Sequence, residues 1–171
     1  MQALGLVWRG VDAAAPDTRE IRSETSEPAH FGARLLFDHW GRRRAEGGFV
    51  VHRDVPSRAL APILRNLVVY QPMGGGRDFR VRLAGSGLIR RFDCDITGLK
   101  LSELFDREGF DFHCTRLREV VSNDAPAILD IRLPAARDAG LHYEMVSLPV
   151  RAPETATTWV LGGFFYHDWA R

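Results

Sequence analysis

Between Phe79 and Phe105 the chain reads F-R-V-R-L-A-G-S-G-L-I-R-R-F-D-C-D-I-T-G-L-K-L-S-E-L-F. Phe79, Val81 and Leu83 alternate with Arg80 and Arg82, which is the period of a half-buried strand. Gly85-Ser86-Gly87 breaks that strand, and Ser86 to Phe92 is read as a short helix or an irregular helical turn with Leu88, Ile89 and Phe92 turned inward. Asp95-Ile96-Thr97-Gly98 is a turn, because an aspartate side chain accepts nearby backbone N–H bonds and glycine tolerates positive φ. Leu99, Leu101, Leu104 and Phe105 then resume apolar contacts. A strand that breaks at two glycines, turns and re-enters a short helix supports an α+β domain with a possible internal pocket.

The flanking chain extends this pattern. Phe31, Leu35, Leu36 and Trp40 recur near helical spacing over His30 to Glu46, and Gly47-Gly48 ends the helix. Leu60, Ile63, Leu64 and Leu67 mark a second helical face. Pro62 divides it into turns over about 56–60 and 62–66. Val68-Val69-Tyr70 pairs with Phe79–Leu83 across the turn Gln71 to Gly76 as a hairpin. Phe110, Cys114, Leu117 and Val121 form the apolar line of a longer helix from Phe110 to Ser122. Three strands follow: Ala127 to Pro134, Leu141 to Arg151 and Thr158 to Tyr166. The expected class is α+β, a five-stranded antiparallel sheet with helices over one face and an N-terminal flanking helix. The expected organisation is an N-terminal arm, partly flexible, over 1–28, the flanking helix over 29–48 and one domain over 49–171.

Composition narrows the function classes. A net charge of +1 gives no field that would make nucleic acid or anionic membrane the default partner. Arg42-Arg43-Arg44 is read as a solvated helix end rather than a nucleic-acid contact. Cys94 and Cys114 are too few for a disulfide framework. No apolar run reaches the roughly 18 residues of a membrane span, and the N-terminus has no basic region leading into an apolar core. A cytoplasmic protein without membrane insertion is expected. Gly74-Gly75-Gly76 lacks the Lys-Ser/Thr of a phosphate loop, and Gly85-Ser86-Gly87 lacks the third glycine of the dinucleotide fingerprint. The histidines never fall at His-x-x-x-His spacing and the cysteines never at Cys-x-x-Cys, so no metal site is singled out.

Arg82-Leu83-Ala84-Gly85-Ser86-Gly87, followed by Asp95-Ile96-Thr97-Gly98-Leu99-Lys100-Leu101-Ser102-Glu103-Leu104, resembles the short-helix region of a PAS sensor domain. There a glycine ends the second strand and an Asp-x-Thr-Gly turn precedes Leu-x-x-Leu. The likeness covers roughly Pro56 to Tyr166, with Ala29 to Glu46 as the flanking helix. It is closest to the single-domain PAS-like proteins common in alphaproteobacteria. The resemblance implies signal transduction: a small ligand between sheet and helices, or a protein–protein contact. It also implies a homodimer formed through the flanking helix, so the stripe Phe31, Leu35, Leu36 and Trp40 is open to two readings, an interface with a second copy or packing on the chain's own sheet. The chain carries no recognisable kinase, cyclase, phosphodiesterase or DNA-binding segment, so output is expected through a separate partner protein or through dimer rearrangement. No cofactor is specifically indicated. The Gly-x-Asn-Cys-Arg-Phe-Leu-Gln pattern of the flavin-binding branch is missing, and Cys94 stands in Phe92-Asp93-Cys94-Asp95. Haem is suggested only by His113, which lies on the helix where haem-binding members place an axial histidine.

Three functional readings stay open. The leading one is a non-catalytic sensory module. Its inward line is read as Phe79, Val81, Leu129, Ile131, Tyr143, Met145, Trp159 and Leu161. His113, Arg116, Leu117, Tyr143, Met145 and Trp159 are its candidate ligand contacts. The same residues would equally fill a solid core, giving a ligand-free adaptor or dimerisation domain. The third reading is a small pocket enzyme in which Asp130 and His142 face each other as an acid–base pair; their alternative role is a cross-strand ion pair at the surface.

Overall fold

The computed structural model describes residues 21–133 and 141–167. In chain order the elements are β1 (Ile21–Thr25), α1 (Phe31–Ala45), a 3₁₀ segment (Arg58–Asn66), β2 (Leu67–Met73) and β3 (Asp78–Ala84). There follow α2 (Ser86–Phe92), α3 (Leu101–Leu104), α4 (Arg107–Asn123), β4 (Ala127–Leu133), β5 (Leu141–Arg151) and β6 (Thr158–Tyr166). The strands form one antiparallel sheet in the order β1-β4-β5-β6-β2-β3.

The sheet has six strands where five were expected. The extra strand, Ile21-Arg22-Ser23-Glu24-Thr25, falls within the expected N-terminal arm and pairs antiparallel with Ile128–Arg132 of β4. Its five residues carry little hydrophobic signal, and its partner lies more than a hundred residues away. The remainder of that arm, residues 1–20, lies outside the described residues.

Helices cover both faces, not one. Along β5, Val146, Leu148 and Val150 point to the face packed by Leu36 and Trp40 of α1 and by Leu60 and Ile63 of the 3₁₀ segment. Tyr143 and Met145 point to the other face, packed by Leu88 of α2, Leu101 of α3, and Cys114, Leu117 and Val120 of α4. A strand buried on both faces loses its polar alternation, and β5 is buried continuously from Tyr143 to Val150. Trp40 Nε1 donates to Pro149 O at 2.8 Å, so α1 is locked to the sheet by a buried hydrogen bond as well as by apolar area.

Local chemistry explains the element ends. Asp106 caps α4 by accepting from Gly109 N at 2.9 Å. Asp95 Oδ1 accepts from Thr97 N at 2.9 Å, the expected aspartate turn. Gly85 is needed for close approach: a Cβ there would lie 2.3 Å from Leu64 O and 2.4 Å from Arg65 O. The two helical turns expected on either side of Pro62 are one 3₁₀ segment instead, with Pro62 inside it. The tighter winding carries the chain through a residue that has no N–H to donate. At the end of α1, the buried carboxylate of Asp54 accepts from Arg43 Nε at 2.9 Å, Arg53 Nε at 3.0 Å and Val50 N at 2.7 Å. Arg44 pairs with Asp124 at 2.7 Å. Two of the three adjacent arginines thus hold structural ion pairs.

Candidate functional site

The interior between the sheet and α4 holds a cavity of only about 10 Å³, lined by Tyr70, His113, Arg116, Leu117, Met145, Ser147, Gly162 and Phe164. That is the room of a single water. Four of the expected ligand contacts, His113, Arg116, Leu117 and Met145, meet here. Tyr143 shares this face but packs beside Phe164 and Tyr166, with ring centroids 6.4 and 5.2 Å away. Trp159 is on the opposite face with Leu161 and Phe165, and this corrects the expected inward line. Met145 stands opposite Phe164 across the β5–β6 ladder, so the even-numbered residues of β6 face the cavity and Trp159 cannot. Tyr70, Ser147, Gly162 and Phe164 were missed: each has the right parity only once the strand pairing is known.

Two of the polar side chains around the cavity, His113 and Arg116, have neighbours that hold them. The half-buried His113 ring lies 4.4 Å from the Phe105 ring and 5.0 Å from the Phe112 ring. Burial, helped by the Arg22 charge, lowers its pKa to about 4, so the imidazole is neutral at neutral pH. Arg116 borders the cavity and pairs with Glu24 of β1 and, at 3.2 Å, with Glu119. Burial pushes the Tyr70 hydroxyl well above the ordinary tyrosine value. Cys114, beside His113 in sequence, is buried with its Sγ 3.5 Å from Arg77 O. The Arg118 guanidinium also reaches this Sγ, at 3.4 Å.

A second cluster occupies the other face, at the end of the sheet near the start of α1. His142 Nε2 is 2.8 Å from Asp130 Oδ2, the pairing expected from alternation. His167, directly across from His142 at the end of β6, donates its backbone N–H to His142 O at 2.9 Å. The two imidazoles stack with centroids 4.0 Å apart. Glu144, two residues along β5 from His142, is buried and receives the Ala29 and His30 N–H groups at 3.0 and 2.8 Å. Burial opposes ionisation of Asp130, but hydrogen bonds from His142 and Arg132 outweigh it and hold its carboxyl below the ordinary value. Asp130 and His142 are each about one-fifth exposed and take no part in lining the small cavity.

The stripe expected at a dimer interface is divided. Leu36 and Trp40 are buried against the chain's own sheet, so neither is available to a second copy. Phe31 is 77% exposed, and it shares a shallow outer surface of α1 with Arg34, Leu35, Asp38 and Arg42. Among the described residues no helix is long and apolar enough to cross a membrane.

Comparison with known proteins bears on the fold as a whole. None of the curated proteins matches the chain. A family model described as the PAS domain matches residues 29–165, from the residue before the α1 cap to the penultimate residue of β6. The match takes in α1, the hairpin, the short helices, α4 and the three long strands together, and on it the chain belongs to the PAS domain family.

Proposed function

We propose that this PAS domain is a non-catalytic regulatory module that acts through its surface rather than through a small molecule held in its core. The observation that carries this reading is the cavity of about 10 Å³ between the sheet and α4. A metabolite needs some 300 Å³ or more, and reaching that here would mean displacing Leu117, Met145 or Phe164 from a packed interior. The surface that supports the reading is the outer side of α1. Phe31 is the large exposed hydrophobic residue there, and Arg34, Asp38 and Arg42 follow at four-residue steps around Leu35. Two copies related by a two-fold axis would set Asp38 of one against Arg34 or Arg42 of the other, with Phe31 and Leu35 between them. The occupant is a second copy of this chain. A separate signalling partner in the cytoplasm, reading the state of that pair, completes the proposal.

Native mass spectrometry with light scattering over a concentration series tests it. The expected result is protein without a stoichiometric small molecule, forming a dimer that Phe31→Asp abolishes. A retained ligand at one per chain would return the core-sensing reading. A wild type that stays monomeric at high micromolar concentration would remove the self-association.

A further inference from the structure

We propose that Asp130, His142 and His167 form a binding site for one divalent transition-metal cation of the zinc class, with Glu144 as the carboxylate beside it. One ligand atom from each of the three lies within 4.8 Å of the other two. The site is built by strand pairing. Asp130 lies opposite Glu144 across β4–β5, and His142 lies opposite Arg132. The His167–His142 backbone bond adds the third strand. Residues two apart on one strand share a face, so three neighbouring strands present the side chains of Asp130, His142, Glu144 and His167 to one patch.

A second observation points to a missing partner. His167 Nε2 is buried and makes no hydrogen bond. Glu144 Oε1 is 3.3 Å from it, but off the line a hydrogen bond requires. A buried imidazole nitrogen left this way costs free energy, and a cation on its lone pair would satisfy it. Local charge agrees with this. Two carboxylates, Asp130 and Glu144, face the imidazoles of His142 and His167, with the His30 ring edge-on to His167 at 5.2 Å, and the Arg132 guanidinium bonds Asp130 Oδ1 at 3.0 Å. Asp130 Oδ2 is the oxygen turned toward His142. A cation would replace the proton shared between Oδ2 and Nε2 and release it to solvent.

Two imidazoles and a carboxylate select zinc, nickel, cobalt or copper over magnesium and calcium, which prefer all-oxygen sets. Metal–ligand bonds of about 2.0–2.2 Å put neighbouring ligand atoms roughly 3.3–3.5 Å apart. The widest separation must therefore close by about 1.4 Å, which side-chain rotation at the end of β6 can supply. The site is on the opposite face from the small cavity, and it does not depend on the regulatory reading above.

The test uses the full chain stripped with a chelator and titrated with Zn²⁺ against a chromogenic competitor, and separately with Co²⁺. One equivalent of Zn²⁺ should bind. Affinity should fall about 100-fold or more in His142→Gln, in His167→Gln and in Asp130→Asn, each verified as folded by circular dichroism. His52→Asn, at an exposed turn, should bind as the wild type does. Co²⁺ on the wild type should give the intense visible bands of four- or five-coordination without a thiolate charge-transfer band, a readout that needs no substitution. Failure to take up one equivalent, a thiolate band, a weak six-coordinate spectrum, or undiminished affinity in the folded His142→Gln and His167→Gln variants would overturn the site.

Discussion

Acid should destabilise this fold through His113. In the folded chain its pKa is about 4, against 6.5 for an ordinary histidine, because burial between Phe105 and Phe112 and then the Arg22 charge disfavour the imidazolium. The unfolded chain therefore binds a proton that the folded chain refuses between those two values. The sign follows: this stability is fully present above about pH 6.5 and drains away as the pH falls toward 4. Fully expressed, the difference corresponds to about 3 kcal/mol, of which about 2 kcal/mol is lost between pH 7 and pH 5. Urea unfolding of the wild type and of His113→Gln at both pH values isolates the effect, since the other titrating groups are common to both proteins. The wild type should lose about 2 kcal/mol more than the variant on acidification. Equal losses in the two proteins would refute the argument. So would a wild-type His113 imidazole titrating near 6.5 by NMR.

Three further outcomes follow from the packing. In Gly163→Ala the new Cβ would sit 2.5 Å from the Phe165 ring and 2.9 Å from Leu36 Cδ2; thermal melts should show a loss of about 1–3 kcal/mol. Asp54→Asn removes the charge that Arg43 and Arg53 converge on in a buried site, and equilibrium unfolding should register roughly 3 kcal/mol. Deleting residues 1–25 removes β1 and the Glu24 partner of Arg116, and leaves the β4 edge unpaired; in a Phe31→Asp background, sedimentation velocity should then reveal association that the Phe31→Asp chain with its N-terminus lacks.

Much of the fold was legible because its signals are local. Ser86–Phe92 is the helix that the glycine break foretold, and Leu141–Arg151 and Thr158–Tyr166 are the strands that alternation and turn residues delimit. The α4 line was legible at its centre, Cys114 and Leu117; at its ends Phe110 and Val121 are only partly buried, and Val120 is the buried residue of the last turn. The failures are non-local. Ile21–Thr25 becomes a strand only because β4 offers an edge. Trp159 was assigned to the wrong face because Gly162-Gly163 carry no side chains, so the alternation of β6 falls silent at its middle and its parity comes only from pairing with β5. The Asp130–His142 meeting was legible from alternation. His167 and Glu144 joined it through a register that no single strand contains.

The glycine pair in β6 has a mechanical consequence. Gly162 borders the cavity beside Tyr70 and Met145, while a side chain on Gly163 would strike Leu36 of α1. Elsewhere the two half-cores are separated by side chains on both sides of the sheet. At this point a single peptide plane is the whole wall between them. Tyr70 therefore rests on this backbone from one side and Leu36 of α1 from the other, beneath the helix whose outer surface carries Phe31.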